Sequence, residues 1–134
     1  MERLVCVICW SEMPSERRTC TCCGAVVDVA SPAYEKSLLK ALDAASPEHK
    51  AQICRALATR GSARAFPHLV DMLDNPVVLV RVEALRALGE LGNASIIPVI
   101  EEHAASTESL SVRAAASEAL QALAAFRVDH TQAR

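Results

Sequence analysis

Apolar side chains recur at helical spacing along this chain, from Tyr34 almost to its last residues. Leu38, Leu39 and Leu42 lie on one face of the first such segment, which is the spacing of a helix that buries a stripe. Gly61 is placed to end the second segment, because glycine adopts the left-handed conformation that closes a helix without strain. The pattern predicts helices over about 34–45, 47–60, 63–74, 78–91, 94–105 and 110–126.

One stretch of the helical part occurs twice. Residues 56–69 return as residues 87–100, 31 positions later. The identical pairs are Ala56/Ala87, Leu57/Leu88, Gly61/Gly92, Ala63/Ala94 and Pro67/Pro98. A period in the low thirties with helical patterning is typical of a solenoid, in which each unit buries its apolar face only against its neighbours. The sequence therefore predicts a mainly α fold, a short α-solenoid of two complete helix pairs with a lone second helix before them and a lone first helix after them.

The best-formed copy of the repeat resembles a known family. Residues 80–100 read Val-Arg-x-x-Ala-x-x-Ala-Leu-Gly-x-Leu-Gly followed by Ile-Pro-x-Ile, and residues 50–73 and 112–124 are looser copies. This pattern resembles a HEAT-like repeat of the short bacterial type, which is also seen in phycobilisome lyases. The resemblance implies a scaffold or adaptor more often than an enzyme. It also implies that the repeat arginine, Arg81, pairs with the turn residue Asp74.

The first thirty residues have no helical periodicity and hold five of the six cysteines. We therefore predict two parts, a metal-binding module over 1–30 and a solenoid over 31–134. The expected ligands are Cys6, Cys9, Cys20 and Cys23, in a C-x₂-C-x₁₀-C-x₂-C frame. Two such turns facing each other give a tetrahedral four-sulfur site that suits structural Zn²⁺ and resembles a zinc ribbon. An iron site of the rubredoxin kind is the alternative.

The two cysteine turns are not equally regular. Gly24 permits the positive φ that a turn of this kind needs after its second cysteine, whereas Trp10 stands at the corresponding place in the first turn. Cys22 lies between two expected ligands and competes with them, and we expect it outside the coordination sphere. Cys54 is different, because its position on an amphipathic helix predicts an inert core thiol.

The lone second helix at the front of the solenoid needs a cover for its leucines, since solenoid ends require a capping element. The cysteine module is the available candidate in this chain. Its apolar residues expected to provide the cover are Leu4, Val5, Val7, Ile8, Trp10 and Val26. Residues 26–29 are also predicted to form a short strand.

Composition narrows the class of protein. The chain is 51% hydrophobic but 3% aromatic, so its core must consist of Ala, Leu, Val and Ile. A net charge of −2 gives no broad basic field, which argues against general nucleic-acid binding. No stretch approaches the ~18 apolar residues of a membrane span, so we expect a cytoplasmic protein, where paired cysteines are metal ligands before disulfides. Abundant alanine and eleven arginines against three lysines are typical of a high-GC bacterial proteome.

A binding surface is predicted along the second helices, which line one face of such a solenoid. A shift of 31 residues places Lys40, Asp71 and Glu102 in one column of that face, basic near the cysteine module and acidic at the far end. The candidate partner-binding residues are Lys36, Lys40, Arg64, His68, Asp71, Glu102 and Phe126.

The last helix offers a second candidate surface, because no second helix follows it. Its predicted inward positions are Val112, Ala116, Leu120 and Leu123, which leaves Ala115, Ala119, Ala122 and Phe126 on an open flank. This flank either ends the array or docks a partner or a second copy of the chain in a homodimer.

The leading hypothesis is a non-enzymatic adaptor that binds another protein. The four histidines do not converge, and the His-Glu dipeptides of HEAT-repeat hydroxylases of the deoxyhypusine type are absent. One alternative is a nucleic-acid-associated factor that contacts phosphates through Arg3, Arg17 and Arg18. Another is an accessory or lyase-type subunit of an enzyme.

Overall fold

The computed structural model describes residues 3–14, 18–28 and 31–132. Strands β1 (Arg3–Val5) and β2 (Glu12–Pro14) form an antiparallel hairpin in which Leu4 lies opposite Met13. The predicted strand over 26–29 is reduced to a single bridge between Thr19 and Val26, and residue 29 lies outside the described ranges.

Six helices follow, and the predicted fold class, a short helical solenoid, is confirmed. Their bounds are α1 Pro32–Ala44, α2 Pro47–Arg60, α3 Phe66–Met72, α4 Val78–Leu91, α5 Ile97–Ser106 and α6 Leu110–Gln132. Gly61 and Gly92 end α2 and α4 in the left-handed conformation, with φ of +70° and +75°. Within the described ranges, no helix combines the length and the apolar character needed to cross a membrane.

The first helices of the repeats, α2, α4 and α6, pack side by side in one row. The second helices, α1, α3 and α5, pack chiefly on the helix that follows each of them, so that the six helices form the pairs α1–α2, α3–α4 and α5–α6. The expectation of a lone helix at each end is therefore wrong, because α1 and α6 both have a packing partner.

The hairpin packs on α2, on the side where an earlier repeat would place its first helix. Leu38 and Leu42 of α1 are completely buried. One hydrophobic cluster runs from the N-terminal segment to α6. The N-terminal residues buried in that cluster are Leu4, Val5, Cys6, Met13, Cys20 and Val27.

Two of the residues expected to cover α1 are not part of that cluster. Ile8 is 66% exposed because it occupies the turn between two cysteines, and Val26 is 81% exposed. Side chains alternate across extended backbone, so the exposure of Val26 turns its neighbour Val27 inward. Met13 and Val27 take the predicted places, while Val7 and Trp10 are partly buried against the core.

The open flank predicted on the last helix is largely closed. Val112, Ala116 and Leu123 are buried as expected, but Ala115 and Ala119 are also buried, at 1% and 2% exposure. The cause is a close approach of α4 and α6, since a Cβ added to Gly89 would lie 3.0 Å from Ala119 Cα. Ala122 remains exposed, and the side chain of Phe126 lies outside the described residues.

A basic residue near the start of each first helix binds the turn that precedes it. Lys50 Nζ donates to Asp43 O at 3.4 Å, Arg81 Nη1 to Asn75 O at 3.1 Å, and Arg113 Nε to Thr107 O at 3.1 Å. Carbonyls at the end of a helix lack intrahelical partners, so these donors satisfy them.

The expected pair of Arg81 with the Asp74 carboxylate is therefore wrong. The guanidinium binds the backbone carbonyl of Asn75, and Asp74 Oδ1 lies 3.8 Å from His103 Nε2.

A buried carboxylate joins the row of first helices. Glu83 on α4 is 6% exposed, and its Oε2 lies 3.3 Å from Arg55 Nε on α2. Its Oε1 lies 3.5 Å from Arg86 Nη1, and Arg86 in turn approaches Glu118 on α6 at 3.8 Å. Such pairing meets much of the cost of burying a charge.

Candidate metal centre and exposed helix row

The two cysteine turns have the same backbone geometry. The Trp10 amide donates to Cys6 O at 2.9 Å, and the Gly24 amide donates to Cys20 O at 2.9 Å. Both turns then pass through a left-handed residue, with φ of +65° at Trp10 and +76° at Gly24. Trp10 thus occupies, at some cost in backbone strain, the conformation that glycine adopts in the second turn.

The turns direct their four sulfur atoms to one point. The amides of Ile8 and Cys22 each donate to a sulfur, at 3.4 Å from Cys6 Sγ and 3.4 Å from Cys20 Sγ respectively. The atoms brought together are the Sγ atoms of Cys6, Cys9, Cys20 and Cys23, all within 4.8 Å of one another. Cys22 is exposed and outside this cluster, in agreement with the sequence prediction.

The sulfur separations fit a tetrahedral metal site. Cys9 Sγ and Cys20 Sγ are 3.6 Å apart, and Cys6 Sγ and Cys23 Sγ are 3.8 Å apart. A metal with bonds of ~2.3 Å to four sulfurs has a sulfur–sulfur edge of about 3.8 Å. The donor set and its spacing show that this cluster could hold a metal ion.

The electrostatics of the cluster depend on its proton count. The side chain and then the backbone amide of Ser11 lower the pKa of Cys9 to about 6, and Ser11 Oγ lies 3.3 Å from Cys9 Sγ. The Ala25 amide lowers the pKa of Cys23, but burial and the neighbouring sulfurs outweigh it and raise that pKa to about 12. Four thiolates at this spacing repel one another, and a bound cation would replace the protons that separate their charges.

Two contacts that sequence reasoning missed fasten this centre to the solenoid. The Trp10 ring stacks on the His49 ring at the start of α2, with centroids 5.0 Å apart and planes 17° apart. The Tyr34 hydroxyl accepts from Val5 N at 3.2 Å and donates to Val5 O at 2.7 Å. Burial raises the pKa of Tyr34 to about 12, so the phenol keeps the proton that it donates. A tryptophan at a glycine position was the available signal for the first contact.

The predicted partner-binding residues are spread over the second helices. Lys36 and Lys40 are exposed on α1, Asp71 is exposed on α3, and Glu102 is exposed on α5. Arg64 is exposed in the short 3₁₀ turn before α3, and His68 is partly buried. Because α1, α3 and α5 contact one another little, clefts separate the helices of this row.

The basic residues of the nucleic-acid alternative are only partly described. Arg18 is exposed beside the second cysteine turn, while the side chains of Arg3 and Arg17 lie outside the described residues.

Stacked helix pairs around a continuous core define the class of the protein as an α-solenoid with a four-cysteine centre at its N-terminal end. The family model described as HEAT repeats matches residues 35–121, and the chain belongs to the HEAT-repeat family. The match begins in α1 and ends in α6, so the cysteine turns lie outside it. A search of curated proteins finds no match to the chain.

Proposed function

We propose that this protein is a non-enzymatic adaptor that binds another protein along its second helices. A structural zinc ion in the four-cysteine centre, with the surrounding segment as a zinc ribbon, caps the array. The observation that carries the proposal is the exposed, charge-graded row of second helices on a HEAT-repeat scaffold. The next paragraphs give the support for each part.

The zinc assignment is supported by the chemistry of the donors. Four cysteine sulfurs complete a tetrahedron, which leaves no open position for a catalytic water. Soft thiolates favour zinc over magnesium or calcium, and iron is the competing metal for the same donor set. Cys6 and Cys20 also belong to the shared hydrophobic cluster, so the metal would stabilise the end of the solenoid as well as the turns.

The binding surface is supported by exposure and charge. Lys36 and Lys40 give the α1 end of the row a positive sign, and Glu101 and Glu102 give the α5 end a negative sign. A partner with the opposite gradient would be guided into one orientation, because complementary potentials fix register and speed encounter. The net charge of −2 supports a protein partner over a polyanion.

The proposal is tested by capturing partners from the native cells with the intact, metal-loaded protein and locating them by cross-linking. Lys36→Glu with Lys40→Glu should weaken capture at least tenfold, whereas Gln121→Glu on the first-helix side of the molecule should not. An unchanged partner set in the double variant contradicts the proposed surface. Binding to RNA or DNA that falls steeply with salt would support the nucleic-acid alternative instead.

A further inference from the structure

A cavity of about 450 Å³ opens between two successive repeats. It lies where the end of α3 and the start of α4 meet the end of α5 and the start of α6. Leu73, Leu85 and Val112 line it and are all at least 98% buried, which gives the cavity an apolar floor. Its volume falls in the range of ligand pockets, roughly 300–1,000 Å³.

Arg81 lines this cavity and is only half-buried. Among the described residues its guanidinium makes one hydrogen bond, from Nη1 to Asn75 O. A guanidinium has five N–H donors in a planar fork, so most of them are available to a planar acceptor such as a carboxylate.

The wall opposite α4 adds further donors. Thr107 Oγ1 accepts from Ser109 N at 3.2 Å, and Ser109 Oγ accepts from Val112 N at 3.3 Å. Both oxygens are thus occupied as acceptors by the backbone, which leaves the two hydroxyl protons to donate.

His103 is reachable by a carboxylate oxygen, as Asp74 already shows. Asp74 Oδ1 lies 3.8 Å from His103 Nε2, while the Asp74 side chain remains 82% exposed. The contact is loose enough for an incoming carboxylate to replace Asp74. Glu108 is the other acidic residue of the lining, and it is also exposed.

This chemistry is specific to one junction. A shift of 31 residues places Lys50 where Arg81 stands and Met72 where His103 stands, so the preceding junction has neither the fork nor the imidazole. The exposed acids at the rim disfavour a multiply charged anion such as phosphate, but they are compatible with a single carboxylate whose stem covers the apolar floor.

We propose that this cavity binds a carboxylate on an apolar stem, presented by a partner protein. The site rests on the proposed adaptor function and gives it a specific anchor. Two sources share this chemistry, a chain-terminal carboxylate that follows an aliphatic side chain and a glutamate side chain. Arg81 would hold the carboxylate, with His103 and the two hydroxyls beside it, and the stem would lie on Leu73, Leu85 and Val112.

The test is a titration of the full-length, metal-loaded protein with three capped peptides, followed by NMR of the Arg81 and His103 side chains. Acetyl-Gly-Leu carries a terminal carboxylate, acetyl-Gly-Glu-amide carries a side-chain carboxylate, and acetyl-Gly-Leu-amide is neutral. At least one carboxylate peptide should give saturable shifts with a Kd on the order of 1 mM, and the neutral peptide should not. The peptide that binds identifies the source.

Two variants copy the preceding junction and so preserve the fold. Arg81→Lys keeps a donor for the turn carbonyl as Lys50 does, and His103→Met introduces the residue found at position 72. Each should raise the Kd roughly tenfold, whereas Arg113→Lys, which alters the same turn bond outside the cavity, should not.

Three results would overturn the cavity: no saturable shift with either carboxylate, equal binding of the neutral amide, or unchanged affinity in Arg81→Lys and His103→Met. None of these depends on the capture of a partner. The cavity and the adaptor proposal can therefore fail separately.

Discussion

The N-terminal segment and the solenoid are held together by different means. The segment over 3–28 is too short to bury much apolar surface by itself, and it brings four cysteines to one point. The solenoid from 31 to 132 has no such centre among its described residues and relies on leucine and alanine packed between neighbouring helices. The comparison teaches that one end of this molecule depends on a ligand and the rest on repetition, although both share one core.

Loss of the metal should be the largest single perturbation. Cys20→Ser removes one of four thiolates, and structural zinc contributes roughly 10–16 kcal/mol of apparent binding energy in small modules. We expect loss of bound metal, exposure of the face formed by Leu38 and Leu42, and aggregation, while most helical signal from α3 to α6 is retained. Elemental analysis, dye binding to exposed apolar surface and far-UV circular dichroism measure these effects.

Cys22→Ser is the matched control for that experiment, because Cys22 is exposed and outside the cluster. It should retain full metal and stability. Retention of metal by Cys20→Ser together with its loss in Cys22→Ser would show that the fourth ligand is misassigned. Absence of any metal from the purified wild-type chain would refute the centre itself.

Tyr34→Phe should have the next largest effect, since it deprives two buried backbone groups of Val5 of one partner. The expected loss is about 1–3 kcal/mol in the free energy of unfolding. Because burial raises the pKa of Tyr34 from 10.0 to about 12, its stabilising contribution is complete below pH 10 and lost as the pH rises through 12. Denaturant unfolding of both proteins at pH 8 and above pH 10 checks this.

The difference between wild type and Tyr34→Phe should therefore shrink above pH 10. A difference that is constant across this range would mean that the hydroxyl does not join the hairpin to α1 in the way described.

Gly89→Ala tests the solenoid alone. The added Cβ would lie 3.0 Å from Ala119 Cα, so α4 and α6 must separate slightly. We expect a net loss of about 1 kcal/mol in unfolding free energy, after the ~1 kcal/mol that alanine gains in helix propensity. Thermal unfolding should show this with the metal content unchanged.

Ala119→Gly in the same background makes room for the new methyl group. The pair should show a favourable coupling in a double-mutant cycle. If Gly89→Ala stabilises the protein, the close approach of the two helices is not the reason for glycine at this position.

Trp10 gives the smallest expected effect, because two contributions oppose each other. Trp10→Gly removes the stacking on His49, worth about 0.5–1.5 kcal/mol, but relieves a left-handed residue that costs about 1–2 kcal/mol. The net change should be close to zero.

Trp10→Ala separates the two contributions, since it loses the stacking and keeps the strain. It should be about 1 kcal/mol less stable than Trp10→Gly. Equal stability of the two variants in urea titrations would argue against backbone strain in the first cysteine turn. His49→Ala measures the stacking from the other side.

The sequence was sufficient for the features that depend on spacing. The helix bounds, the left-handed Gly61 and the convergence of four cysteines all follow from local pattern, and the buried thiol of Cys54 agrees with its place on an amphipathic helix. The metal itself, the partner surface and the division of the chain at residue 30 stay predictions.

Features that depend on distant contacts could not be predicted in this way. Tyr34 and Val5 are 29 residues apart, and nothing in the local pattern around either of them indicates the other. The side of the segment that faces the core was misjudged at Val26, because a shift of one residue reverses every side chain of extended backbone. The closure of α6 depended on Gly89, whose effect is visible only when the two helices are placed side by side.

The turn bonds made by Lys50, Arg81 and Arg113 have a consequence for the growth of such arrays. Each unit carries the donor for the junction on its N-terminal side, while the acceptor is a backbone carbonyl that any residue provides. A tandem copy of residues 46–76 would therefore bring its own fastening with it, and its last turn would offer Arg81 the same carbonyl as before. The array can be lengthened by gene duplication or by design without any compensating substitution at the point of insertion.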